Sequence, residues 1–184
     1  MALLHSEKKP LGQPAPDFEL TAVDGKTYTL ASFRDRQVLV VMFICNHCPY
    51  VQAIEDRIIQ LERDYASKSV RLVGICSNDP TDYPDDSPAS LKRRWQEKDY
   101  RFPYLIDTSQ DVARNYGAVC TPDIFAYGPD RQLAYHGRLD DNWQEPQKVK
   151  CRDLRTAIDS LLAGKMPTAD QKPSMGCSIK WRKS

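Results

Sequence analysis

Cys45-Asn46-His47-Cys48 places two thiols three positions apart, with an imidazole beside the second. A disulfide can join two sulfurs at that spacing if the backbone turns between them. Exchange with other disulfides also requires one sulfur to be activated. The motif follows the apolar run Val38 to Ile44 and precedes a helical pattern. It therefore falls where a strand ends and a helix begins, among unpaired backbone N–H groups and the positive end of the helix dipole. That setting lowers a thiol pKa. Zinc, the other common use of C-x-x-C, needs four ligands and usually a second C-x-x-C or His pair. No second pair is present, so no metal is assigned. The expectation is a redox dithiol in which Cys45 is the exposed, attacking thiol and Cys48 resolves from one turn in. Asn46 and His47 are the tuning positions, and a His47 imidazolium would stabilise a Cys45 thiolate.

Four cysteines remain. Cys120 lies two residues before Pro122 and is a candidate third thiol, against the usual fate of a lone cysteine as a small buried apolar group. Cys177 sits in a C-terminal tail that could fold back to supply an extra resolving thiol, although docking of the tail through Met175, Ile179 and Trp181 is the expected arrangement. Cys76 reads as core and Cys151 as surface. Asp79, Asp82, Asp85 and Asp86 lack the spacing and glycine of an EF-hand and read as a solvated loop. Lys92-Arg93-Arg94 reads as an exposed helix face, and His136 as part of a hairpin.

The elements that position these groups follow from pattern. Val38–Ile44 is continuously apolar, as a strand covered on both faces requires. Val51, Ile54, Ile58, Leu61 and Tyr65 recur at helical spacing. Residues 71–77 read as a second buried strand, and 78–88 as a loop. Ser87-Pro88 fits an N-cap followed by a first-turn proline, opening a helix through Leu91 and Trp95. A short strand at 104–106 and a short helix ended by Gly117 follow. Residues 123–127 and 133–138 read as an antiparallel hairpin, and Leu154, Ile158, Leu161 and Leu162 as a last helix. Before all of these, Asp24-Gly25 marks another hairpin. The pattern predicts one α/β domain over 1–184, with an extended lead-in (1–16) and a tail (165–184).

Charge is balanced, 26 basic against 25 acidic residues, which gives no pull toward nucleic acid. No apolar run approaches the roughly 20 residues of a membrane span. Without a signal-peptide pattern the expected location is the cytoplasm, where disulfides are usually transient and catalytic.

Phe43-Ile-Cys-Asn-His-Cys-Pro-Tyr-Val51, Tyr83-Pro-Asp-Asp-Ser-Pro88, Cys120-Thr-Pro122-Asp123 and the tail 174–181 together resemble the thioredoxin-fold superfamily. Within it the chain is most similar to redoxins related to alkyl hydroperoxide reductase and thiol-specific antioxidant proteins. The resemblance implies a thioredoxin-like three-layer fold, a central mixed sheet flanked by helices. It implies a cis Thr121-Pro122 bond facing the dithiol. Thr121 and Pro122 then form the substrate-facing wall, the Thr121 backbone pairing with a substrate chain. Partners would be protein dithiols or disulfides, or a thioredoxin-type reductant, and no bound cofactor is needed.

Two departures bear on the chemistry. Thioredoxins carry Gly-Pro between the cysteines and a buried acid in the preceding strand, and residues 39–44 contain no acid. Peroxiredoxins show P-x-x-x-T-x-x-C. Here those Pro and Thr positions hold Val38 and Met42 counted from Cys45, or Val41 and Cys45 counted from Cys48. A thiol peroxidase is therefore the second reading. A non-enzymatic metal or iron–sulfur carrier using Cys45, Cys48 and His47 or Cys120 is the third.

Overall fold

The structure is a computed structural model and describes residues 3–183. In chain order, β1 is Leu3–His5, and β2 (Glu19–Thr21) and β3 (Thr27–Thr29) are the expected hairpin around Asp24-Gly25. The central strand β4 (Val38–Phe43) leads into α1 (Pro49–Tyr65), followed by β5 (Val70–Cys76), α2 (Pro88–Glu97), β6 (Tyr104–Ile106) and α3 (Asp111–Tyr116). Next come β7 (Cys120–Thr121), β8 (Asp123–Tyr127), β9 (Leu133–Gly137), α4 (Asp153–Leu162) and β10 (Met175–Ser178).

Five strands form the main sheet in the order β6-β5-β4-β8-β9, with β5 parallel to β4 and β6, and β8 antiparallel to β4 and β9. All six residues of β4 are fully buried. Their side chains alternate between two cores. Val38, Val40 and Met42 pack with α1, α2 and α4, while Leu39, Val41 and Phe43 pack with α3 and the β2–β3 side. Each buried side chain of this size contributes about 1.5–3 kcal/mol, which fixes the strand end from which Cys45 projects. The apolar stripe of α1 from Val51 to Tyr65 is buried as its spacing predicts. Ser87 caps α2, accepting from the Ser90 N–H at 3.3 Å. Among the described residues no helix is long and apolar enough to cross a membrane.

The tail docks as a strand: β10 is the middle strand of a small sheet, β1-β10-β7, which also orders Leu3–His5 of the lead-in. Two local expectations are corrected. Ile179 is buried in the second core, whereas Trp181 stays 38% exposed beneath the Arg114 guanidinium. Arg94 is not part of an idle basic face. It makes a two-pronged contact with buried Glu55 at 2.7 and 2.6 Å, tying α2 to α1.

Candidate active site

Cys45 follows the end of β4 and Cys48 is the N-cap of α1, with Pro49 at the first helical position. The strand and helix deliver the two sulfurs to the two sides of one residue. Cys45 Sγ is 3.3 Å from Thr121 Oγ1, and Cys48 Sγ is 3.0 Å from the Thr121 carbonyl oxygen. The Thr121-Pro122 bond is cis, as the resemblance implies. The dithiol and the proline turn, far apart in sequence, are thus brought together.

The exposed first cysteine is not found. Cys45 is 2% exposed and Cys48 fully buried. Two protonation patterns are open to the pair. With the proton on Cys48, its S–H donates to Thr121 O. With the proton on Cys45, that thiol donates to the Cys48 sulfur. Electrostatics favours the second. Burial pushes the Cys45 thiol well up, and the facing Asp86 carboxylate repels a charge there. Cys48 is brought down to about 5, first by the hydrogen bond from Cys45. Against the opposing cost of burial, the backbone N–H groups of Cys177 and Val51 and the Cys177 thiol add to that stabilisation. The hydrogen-bond donors of the helix mouth surround the cap residue rather than the sulfur before it, which lowers the Cys48 thiol relative to Cys45.

His47 lies 3.7 Å from Cys45 Sγ through Nδ1, but its close partner is Asp86 Oδ2 at 2.5 Å. Its ring stacks on Tyr83 at 4.5 Å, and its Nε2 is buried without a hydrogen-bond partner. The expected pairing of His47 with a Cys45 thiolate gives way to a histidine–carboxylate pair. Asp86, read from sequence as solvated, is 2% exposed. Burial alone would raise its carboxyl, yet hydrogen bonds from His47, Asn78 and the Asn46 N–H hold it below the usual range. Asp86 Oδ1 accepts from the Asn46 N–H at 2.8 Å, while the Asn46 amide reaches Asp85 O at 2.9 Å and Ser90 O at 3.1 Å. Asn46 therefore fastens the C-x-x-C turn to the loop entering α2.

The missed residues are Asp86 and Asp123. Neither is in the strand that lacks an acid. Asp86 arrives from the 3-10 turn Pro84–Asp86, and its only sequence signal is the 83–88 segment that carries part of the resemblance. Asp123 follows Pro122, is fully buried, and lies 2.8 Å from His136 Nε2, so His136 of β9 has a partner that its hairpin position does not reveal. Burial raises the Asp123 carboxyl despite that hydrogen bond.

Cys120 is not the third thiol of the cluster. It is fully buried, burial pushes its pKa up, and its thiol contacts Pro122 O at 3.7 Å. The third sulfur on the pair is Cys177. Its thiol and that of Cys48 are hydrogen-bonded, and it stands opposite Thr121 in the β10–β7 register. The Thr121 edge expected to face a substrate is therefore covered by the chain's own residues. Pro122, beside it, lines an open cavity of ≈ 300 Å³ with Tyr50, Ile54, Trp143 and Met175. Cys76 is core and Cys151 exposed, as expected. Cys45 Sγ, a His47 ring nitrogen and an Asp86 oxygen lie within 4.8 Å of one another, a spacing that suits a metal ion.

The AhpC/TSA family model matches residues 11–136. Thiol-disulfide oxidoreductase ResA of Bacillus thuringiensis subsp. konkukian (strain 97-27) is 25% identical over 133 residues, 69% of each chain. An uncharacterized conserved protein from Geobacillus kaustophilus is 42% identical, covers 100% of this chain and 98% of its own, and superposes with a TM-score of 0.94. The thioredoxin domain of a thiol-disulfide oxidoreductase from Bacteroides vulgatus shares the fold. It superposes at a TM-score of 0.59 with 16% identity, over 70% of this chain and 89% of that one. The architecture is thioredoxin-like.

Proposed function

The chain belongs to the AhpC/TSA family, and on that footing we propose that it is a thiol–disulfide oxidoreductase whose Cys45–Cys48 pair exchanges with disulfides of partner proteins. One observation carries the reading: two sulfurs at a helix mouth, both against Thr121, with the Cys48 thiol brought below the ordinary thiol range by its hydrogen bonds. The Cys48 thiolate attacks one sulfur of the partner disulfide, and the partner's other sulfur leaves as a thiolate and takes a proton. Cys45 then attacks Cys48, releasing the partner's second thiol. The partner gains two electrons and the chain keeps a Cys45–Cys48 disulfide. Run backwards, the same steps oxidise a partner dithiol. The proton lost by Cys45 has the His47–Asp86 pair beside it. The cavity beside Pro122 receives a partner side chain flanking the reacting cysteine. A cytoplasmic location belongs to the same proposal.

Trapping tests it. In a Cys177→Ser background, where that neighbouring thiol cannot release the adduct, Cys45→Ser should leave covalent partner adducts on Cys48, while Cys48→Ser should leave none. Adducts only in the Cys48→Ser chain would move the attack to Cys45, and adducts in neither would sink the exchange reading.

A thiol peroxidase is the second reading, favoured by the Thr121 hydroxyl, which reaches Cys45 Sγ from another strand although the sequence before either cysteine lacks one. Hydroperoxide consumption with a dithiol donor measures it. The carrier reading has the Cys45, His47 and Asp86 cluster behind it. Stoichiometric metal in freshly purified protein, lost on Cys45→Ser, would favour it.

A further inference from the structure

Four independent observations meet at residues 176 and 177. β10 pairs antiparallel with β7 so that Cys177 is opposite Thr121 and Ser178 opposite Cys120. Gly176 is pressed so closely on that strand that a Cβ there would lie 1.9 Å from Thr121 O and 3.1 Å from Pro122 Cδ. The segment that follows is held from three sides. The Ile179 N–H donates to Val119 O at 3.0 Å, the Lys180 N–H to Asn78 Oδ1 at 2.8 Å, and the Gln110 amide to Lys180 O at 2.8 Å. Finally, Cys48 Sγ lies 3.0 Å from the carbonyl oxygen of Thr121, the residue that Cys177 faces across the β7–β10 pair. The tail thus sits on the Thr121 edge as an extended peptide, with a cysteine at the position next to the reactive pair.

We propose that Cys177 is a third redox thiol, forming a Cys48–Cys177 disulfide by exchange with the oxidised Cys45–Cys48 pair. This rests on the exchange reading above. The Cys177 thiol loses its proton and its sulfur attacks Cys48. The Cys45–Cys48 bond breaks, the Cys48–Cys177 bond forms, and Cys45 leaves as a thiolate that takes up a proton. No electrons enter or leave, so no outside oxidant is needed beyond the partner disulfide that oxidised the pair. The exchange moves the oxidising equivalent from the Cys45–Cys48 dithiol to β10, the middle strand of the small sheet. It also staples the tail over Thr121. The tail already covers the Thr121 edge with every thiol free, and the disulfide locks it there, so an external peptide gains that edge only by displacing a tail whose Cys48–Cys177 bond is reduced. The substrate class follows from the occupant: an extended segment with a cysteine, preceded by a residue small enough to pass Thr121 and Pro122.

The test is disulfide mapping by mass spectrometry on the full chain, after equilibration in glutathione buffers of graded poise and acid quenching. The wild type should show a 48–177 linkage alongside 45–48, and Cys45→Ser should show 48–177 as its intramolecular linkage. Gly176→Ala should lose 48–177 and keep 45–48, because the added methyl cannot fit against Thr121. A 45–48 linkage with residue 177 alkylated at every poise, in both the wild type and Cys45→Ser, overturns the inference and leaves the exchange reading standing. A chain that never forms 45–48 at any poise overturns both.

Discussion

Asp86 Oδ2 stands 2.5 Å from His47 Nδ1, and the same oxygen accepts from the Asn78 amide at 2.8 Å. Asn78 in turn holds the Lys180 N–H, so one carboxylate connects the C-x-x-C turn to the C-terminal segment. Its charge also faces Cys45 and opposes ionisation there. Adding Asp86→Asn to a Cys48→Ser chain should therefore lower the pH at which Cys45 ionises, followed by ultraviolet thiolate absorbance. A Cys45 titration that stays put or rises would mean that His47, not Asp86, governs the sulfur.

The reduced protein should keep a thiolate down to mildly acid pH. Cys48 is lowered from 9.0 to about 5, chiefly by the Cys45 hydrogen bond. The absorbance should be present at neutral pH and lost as pH falls through about 5, and Cys48→Ser should abolish it. The sign for stability follows the same direction. A depressed folded pKa favours the folded, reduced state most strongly above the unfolded value, and that contribution is lost as pH falls through the folded one.

Arg94→Ala should cost about 3 kcal/mol in denaturant unfolding, because it leaves the buried Glu55 carboxylate without its guanidinium. That is the low end for a broken buried pair, since Arg94 keeps 29% of its side chain in solvent. Burial opposes the Glu55 charge, yet Arg94 and Tyr100 hold its pKa below the usual value. The pair's contribution is therefore full at neutral pH and lost in acid, so the gap between wild type and variant should narrow as pH falls through the Glu55 folded value.

Cys120→Ala separates a core cysteine from a redox one. The thiol is buried and held protonated, so the substitution should leave exchange unchanged while costing about 1 kcal/mol for the small cavity. Loss of exchange with stability intact would return Cys120 to the redox cluster.

What the sequence made legible was local. The unbroken apolar run of β4, the stripe of α1, the Ser87 cap and the hairpin at Asp24-Gly25 each depend on residues close in the chain. The sulfur pair and the proline turn were legible for the same reason and through resemblance. Asp86 was not, because nothing in the pattern distinguishes it from Asp79, Asp82 and Asp85. Only the approach of Asn46 and His47 from α1's mouth buries one of the four. β10 was hidden too, since Met175-Gly-Cys-Ser is short and its partners, Leu3–His5 and Cys120–Thr121, are remote in the chain. Which of the two thiols is lowered depended on which sulfur meets the Val51 and Cys177 N–H groups, a fact of tertiary packing.

The small sheet that joins residues 3–5, 120–121 and 175–178 gives this chain a history during synthesis. Residues 45 and 48 emerge from the ribosome well before residue 177. At roughly 5–20 residues per second the interval is on the order of 10 s. Until translation reaches β10, the nascent dithiol has no cover over Thr121 and meets whatever disulfides surround it. The last strand to be made is the one that closes the reactive centre.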